Sequence, residues 1–166
     1  HRELIDCWPA VVERVPGAVL HIVGRGSGLE AVQRRAAEST ARDRIVFHGF
    51  VTDEELQRRY DEARLFVMPS RGEGFGLVYT EAMRKAVPVI CSTHDSGKEI
   101  VVDGETGFTV NLDKPEELPD RLAILLGDRT KADAMGRAGY ELWMRAFTFG
   151  AFRERFRPIL NELLRM

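Results

Sequence analysis

The chain has 166 residues, 44% of them hydrophobic and 30% charged, with a net charge of −2. That length suits one domain with a full core, and the composition is ordinary for a globular protein. The slightly acidic balance argues against nucleic acid as a partner, which calls for a basic face, and no apolar run approaches the ~20 residues that cross a bilayer as a helix.

Charge is unevenly spread. Residues 95–128 carry nine acids against three bases, and residues 129–166 carry eight bases against four acids. Solvated helix faces account for this, or else the basic segment docks another domain or an anionic surface. Cys7 and Cys91 are the two cysteines, far apart and without metal-ligand spacing, so free thiols in a reducing cytoplasm are expected. The chain opens on His1 with no signal-peptide pattern, and it reads as a fragment of a longer protein.

In chain order, residues 3–15 read as a helix with Leu4, Ile5, Trp8, Val11, Val12 and Val15 on one side. Pro9 marks a kink or a late start there, and Pro16-Gly17 ends the segment. Residues 18–23 form an apolar strand leading into Gly24-Arg25-Gly26-Ser27-Gly28. A charged helix over 29–41 and a second strand over 44–50 follow. Thr52 or Asp53 caps a helix running to Arg64, and Glu55 completes a capping-box pattern. Residues 65–68 are the third strand, and a helix begins near Gly76 and ends around Lys85-Ala86. Residues 87–92 are the fourth strand, with Pro88 near its start where it harms the ladder least. A short helix over 96–102, a turn at 103–107 and a strand at 108–110 precede helices over 115–127, 130–146 and 149–165. His21 reads as a hydrogen-bonded core histidine, and Trp8, Trp143, Phe147 and Phe149 as core aromatics.

Short strands alternating with helices predict an α/β fold: a Rossmann-like parallel sheet with helices on both faces and a C-terminal helical segment. Ligands in such folds bind outside the carboxyl ends of the strands. Residues 24–28, 49–53, 69–76 and 93–98 therefore matter most, and all four are rich in glycine or polar residues. The run Gly24-x-Gly26-x-Gly28 lacks dinucleotide-fingerprint spacing and the acid that would close the next strand, which rejects an NAD site. It is a tight turn or a loop approaching a phosphate or sugar. The third loop is the richest: Gly72-Glu73-Gly74-Phe75-Gly76 opens a helix, and Glu81 follows Glu73 by eight positions. Glycines let the backbone approach a ligand, and the helix offers free amides and a positive dipole end. The apolar flank of Phe75, Leu77, Val78 and Met83 predicts a buried helix, in which Glu81 needs a partner. Paired carboxylates also serve glycosidases, but the glycines favour a phosphate, with Glu81 left for neutral hydroxyls. That combination fits a nucleotide sugar.

Glu73-Gly74-Phe75-Gly76-Leu77, Glu81-Ala82-Met83, Val87-Pro88-Val89-Ile90 and Asp103-Gly104-Glu105-Thr106-Gly107-Phe108 together resemble the E-x7-E region of family 4 (group 1) glycosyltransferases. Ile22-Val23-Gly24-x-Gly26, Arg44-Ile45-Val46-Phe47-x-Gly49 and Leu65-Phe66-Val67-Met68-Pro69-Ser70 match the same family in the same order. The resemblance implies one half of a GT-B architecture, with residues 1–166 as a single nucleotide-sugar-binding domain. It would be the C-terminal, donor-binding half, whose partner is an N-terminal acceptor-binding domain.

The resemblance further implies roles. Glu81 would hold the ribose hydroxyls, its two acceptor oxygens fitting a vicinal diol. Glu73 would be the catalytic residue beside the donor sugar, acting electrostatically during transfer with retention of configuration. The amides of Gly74, Phe75 and Gly76 would face the pyrophosphate without a metal. Gly24 and Gly26 would approach the donor, and Val51 and Leu77 would flank nucleobase and ribose, with Asp53 a weaker candidate. Apart from the resemblance, His94 and Asp95 stand in a strand-end loop where a ligand on the acceptor side could reach them. No cofactor is implied beyond the nucleotide diphosphate sugar as substrate, and the implied location is cytoplasmic, peripheral at the inner membrane face.

Two departures from the family pattern stand out. The family's Arg and Lys-Gly phosphate clamp, and the strand filling the middle of the sheet, belong to a segment preceding His1. Arg25 and Arg71 do not match that clamp. The loop usually written around Gly-Gly reads Thr93-His94-Asp95-Ser96-Gly97-Lys98-Glu99, in which Glu99 fits an acidic position. A non-catalytic binding module and a nucleotide-sugar epimerase are the rival readings.

Overall fold

A computed structural model describes residues 1–165. Five parallel strands alternate with helices, as the apolar pattern requires: α1 (Arg2–Arg14), β1 (Leu20–Val23), α2 (Leu29–Glu38), β2 (Ile45–Gly49), α3 (Asp53–Glu62), β3 (Phe66–Val67), α4 (Leu77–Arg84), β4 (Val89–Ser92), α5 (Gly97–Ile100) and β5 (Gly107–Val110). Three helices close the chain: α6 (Glu117–Gly127), α7 (Arg129–Ala146) and α8 (Phe149–Leu163).

The strands form two parallel sheets, β1 with β2 and β3-β4-β5 in that order. The two are joined by packing rather than by a ladder. Leu20 and Ile22 of β1 share one buried cluster with Ile90 of β4, Phe108 and Val110 of β5, and residues of α1 and α6. The other face of β4 contributes Val89 and Cys91 to a second cluster with Tyr60, Tyr79 and Met83. This alternation puts helices on both faces of β4, and all four of its residues are buried. β3 is only two residues long and pairs only with β4, through Phe66↔Val89 and Val67↔Ile90.

Several elements are shorter than their apolar runs predict. α2 stops at Glu38, and Arg42–Arg44 makes a 3₁₀ turn that the charged sequence gave no sign of. Pro9 lies inside α1. The capping box at α3 is half formed: Thr52 accepts from the Glu55 N–H at 3.2 Å, but the Glu55 carboxylate turns to Arg58 and Arg59.

Two expected core residues are on the surface. His21 is exposed and meets His48 across the β1–β2 pair, Nδ1 to Nε2 at 2.8 Å with the rings stacked. Leu20 and Ile22 take the buried face of β1, so its period of two turns His21 outward. Phe149 is 77% exposed, its ring tilted against Phe152, which stacks on Phe156 further along α8, and no residue of α8 is buried. Trp8 is buried, its indole N–H donating to the Arg44 carbonyl at 3.0 Å, while Trp143 and Phe147 are half-buried. Both cysteines are free, and burial pushes both thiols up to about 12.

Candidate functional site

The carboxyl ends of the strands carry the four loops singled out by sequence, and a fifth that sequence reading passed over, after β5. Gly24 ends β1 at φ +124°, a conformation open to glycine, and donates to the Gly49 carbonyl at 2.7 Å. The β1 and β2 loops are thereby tied together. Gly26 is exposed, and its carbonyl accepts from Leu29 as α2 begins. Val51 is half-buried just before the Thr52 cap, and Asp53 is exposed at the start of α3.

The loop after β3 is folded back on itself. The Gly72 N–H donates to Ser70 Oγ at 3.1 Å, and the Gly76 N–H donates to Glu73 Oε1 at 3.2 Å. Gly76 caps α4 with φ +78°. A Cβ there would stand 2.4 Å from Cδ2 of Tyr79, a side chain with no exposed surface. Gly76 is therefore required on two independent counts. Gly72 and Gly74 are not constrained in this way, since open space surrounds both. Gly74 and Phe75 are both exposed residues of the loop.

The expected burial of α4 is split along its length. Tyr79, Ala82 and Met83 are fully buried, whereas Phe75 and Leu77 are 61% and 62% exposed. These two large apolar groups form one wall of a cleft of about 240 Å³ whose far wall is Phe147, Thr148 and Phe152. A larger cleft of about 340 Å³ is lined by Pro9, Val12 and Arg44. Arg44 precedes β2, so that cleft belongs to the amino ends of the strands, the wrong end for a ligand in this fold.

Glu81 is half-buried on α4 and accepts from the Tyr60 O–H at 3.2 Å. This partner satisfies the requirement for a buried-side carboxylate. Burial, and then the charge and hydrogen bond of Glu81, push the Tyr60 phenol well above its ordinary range, so it remains a donor. Sequence reading missed Tyr60; nothing in the spacing of α3 sets it apart from a core aromatic.

The β4 loop holds Asp95 inward. Asp95 is 6% exposed, and its carboxylate lies 3.0 Å from the Tyr79 hydroxyl while accepting from the Gly97 N–H at 2.7 Å. The Tyr79 hydroxyl also lies 2.8 Å from the Met68 carbonyl. The Ser96 N–H reaches the Glu73 carbonyl at 3.4 Å, so the β4 loop also braces the glycine loop. Ser96 Oγ is buried and has no hydrogen-bond partner among the described residues.

His94 faces outward to a different neighbour. Its Nε2 is 3.1 Å from Asp113, its Nδ1 is 3.2 Å from Ser92 Oγ, and Asp113 also accepts from Arg71 at 3.0 Å. Hydrogen bonds from His94, then Arg71, hold the Asp113 carboxyl below the usual carboxylate range. Asp113 follows β5, and the strand-end rule extended to that loop would have found it. Arg71 is thus committed to an acid, and Arg25 lies over the Phe50 ring at 5.2 Å. Among the described residues, no group of three or more His, Cys, Asp or Glu is arranged to hold a metal ion.

The parallel α/β fold, with a glycine-capped helix at the carboxyl end of its third strand, is the Rossmann-like class expected from the sequence. The sequence places it more narrowly. Residues 1–142 match the family described as "Glycosyl transferases group 1", and the chain belongs to that family. It is 37% identical over 150 residues to the GDP-mannose-dependent alpha-(1-6)-phosphatidylinositol monomannoside mannosyltransferase of Mycobacterium tuberculosis, covering 86% of this chain and 39% of that protein. Among solved structures it is similar to the C-terminal domain of a group 1 family glycosyl transferase (LpcC) from Francisella tularensis, with TM-score 0.79, 24% identity, and 89% and 79% of the two chains covered. Anabaena HepE in complex with UDP-glucose gives TM-score 0.82 at 20% identity, covering 98% of this chain and 45% of that one. At these identities the two structures speak for the fold, one half of a GT-B glycosyltransferase. The chain spans less than half the length of the mannosyltransferase.

Proposed function

We propose that this chain is the donor-binding half of a glycosyltransferase that moves a sugar from a nucleoside diphosphate carrier to a hydroxyl of an acceptor held by a second domain. The observation that carries the reading is the Gly76 turn at the amino end of α4, in a chain of the group 1 family. A helix amino end with exposed amides before it suits a pyrophosphate. In this reading the amides of Gly74, Phe75 and Gly76 receive the phosphates and stabilise charge on the leaving nucleotide. Phe75, Leu77 and Val51 supply apolar contact, Gly24 and Gly26 keep the β1 loop open toward the donor, and Glu81 accepts from the ribose diol. Glu73 lies beside the sugar once the phosphates take the Gly76 N–H from it.

Transfer with retention, without a bound metal, follows from the same reading. His94 stands at the acceptor side, and Asp95 contributes by fixing the loop that carries it. The acceptor domain and cytoplasmic work at the inner membrane face belong to the complete protein; no helix among the described residues is long and apolar enough to cross a membrane. GDP-mannose, named in the mannosyltransferase, is the first donor to test.

Calorimetric titration of ADP, GDP and UDP into the chain and into Glu81→Ala tests the proposal. One nucleotide binds the wild-type chain, and the substitution weakens it about tenfold, the scale of a lost hydrogen bond to a charged group. Equal binding by both proteins discards the role given to Glu81. No binding of any nucleotide discards the donor site.

A further inference from the structure

We infer that Tyr60 is a positioning residue for nucleotide recognition, holding the Glu81 carboxylate at the spacing from the Gly76 turn that a ribose diphosphate requires. This rests on the donor-site reading and adds to it a residue on a different helix.

The geometry starts from a row of three aromatic rings. Tyr60 of α3 packs on Phe66 of β3, with centroids 5.7 Å apart and planes tilted by 48°. Phe66 meets Tyr79 of α4 edge-on, at 6.2 Å and 66°. Each end of the row touches one end of the candidate site. Tyr79 lies directly under Gly76, where its ring leaves no room for a Cβ. Tyr60 lies under Glu81, with its hydroxyl 3.2 Å from Oε2. Tyr60 and Tyr79 are 5% and 0% exposed, and the half-buried Phe66 is fixed between them by its β4 ladder. Close-packed rings of this kind do not slide independently. The row therefore behaves as a spacer between the turn proposed for phosphate and the carboxylate proposed for ribose.

The hydrogen bonding fits the same role. Glu81 is half-buried, and among the described residues Tyr60 is the one group that donates to it. Its anchor uses Oε2 and leaves Oε1 for an incoming hydroxyl. A glutamate has three rotatable bonds, and holding one oxygen in place removes much of the entropy that binding would otherwise cost.

Tyr60→Phe removes the hydroxyl and keeps the ring row. The experiment is calorimetric titration of the 166-residue chain with whichever of ADP, GDP and UDP binds most tightly, and with the 2′,3′-dideoxy form of the same nucleotide. Tyr60→Phe, Glu81→Ala and the double variant are compared with wild type, and far-UV circular dichroism confirms the fold of each. Tyr60→Phe is expected to weaken the ribonucleotide about three- to tenfold, the scale of one hydrogen bond. It should leave the dideoxy nucleotide unchanged and add nothing in the Glu81→Ala background. Wild-type affinity of Tyr60→Phe for the ribonucleotide, alongside a ribose-dependent loss in Glu81→Ala, overturns the inference while the donor site stands. An equal loss for both nucleotides shows a merely structural tyrosine and also overturns it. If Glu81→Ala itself loses no discrimination between the two nucleotides, the ribose role of Glu81 falls and takes this inference with it.

Discussion

Glu73 Oε1 accepts the backbone N–H of Gly76 at 3.2 Å, so the loop that opens α4 is closed by its own acid. A carboxylate at a helix amino end is favourable, because the free amides and the dipole attract negative charge. It is also a stand-in for the anion that the proposed function brings to the same amide. In the proposed function, the glutamate and the phosphate compete for one donor.

Glu73→Ala should therefore separate stability from binding. Removing the acceptor costs the chain roughly 0.5–1.5 kcal/mol, read by urea unfolding. Affinity for a nucleoside diphosphate is unchanged or higher, because no side chain has to leave Gly76. Weaker nucleotide binding by Glu73→Ala contradicts this competition.

Gly76→Ala meets two obstacles, a φ of +78° and a Cβ 2.4 Å from the Tyr79 ring. The left-handed conformation alone costs a non-glycine residue about 1–2 kcal/mol, and Tyr79 has no exposed side on which to retreat. The variant should lose at least ~2 kcal/mol with both terms combined. Gly74→Ala, with open space around its Cβ position, should lose much less. Similar melting temperatures for the two variants would contradict the geometry.

Ala86 presents the opposite case. It ends α4 at φ +54°, the closing position that glycine commonly takes, with its N–H donating to the Met83 carbonyl at 2.9 Å. Ala86→Gly relieves the strain but gains freedom when unfolded. The balance should favour the folded state by about 0.5–1 kcal/mol, measured as a higher urea midpoint at constant slope.

The alternation of strands and helices was legible because β1, β2 and β4 are apolar runs bounded by turn residues. The site loops were legible for a related reason: a parallel sheet puts function at strand ends, and chemistry-bearing residues cluster in four such loops. What lies between elements was hidden. Tyr60 and Glu81 are on consecutive helices but meet only because β3 brings α3 and α4 side by side. Asp113 joins Arg71 and His94 across three separate loops. The outward turn of His21 depends on which face of β1 packs on α1, a choice that an unbroken apolar run does not reveal. Phe149 shows the limit of periodicity, since α8 has an apolar stripe of which no residue is buried.

His48 supplies a pH dependence. Burial, then the positive charge of Arg59 and the neighbouring His21, lower its pKa from 6.5, against an opposing pull from Glu55. The unfolded chain then binds this proton more readily than the folded one. The contribution is complete above about pH 6.5, the ordinary histidine value, and is lost as pH falls through the lowered value. Urea unfolding between pH 5 and 8 should show stability rising with pH in the lower half of that range. His48→Gln should flatten that rise, and an unchanged slope would discount His48 as its source.

The most direct test of the central claim is a backbone amide NMR titration of the chain with a nucleoside diphosphate. The amides of Gly74, Phe75, Gly76 and Leu77 should shift together and saturate at one affinity. The amides of Val12 and Arg44, in the cleft at the other end of the strands, should be unmoved. Shifts confined to that cleft, with the residues before α4 unaffected, would contradict the assignment of the Gly76 turn as the phosphate end of a donor site.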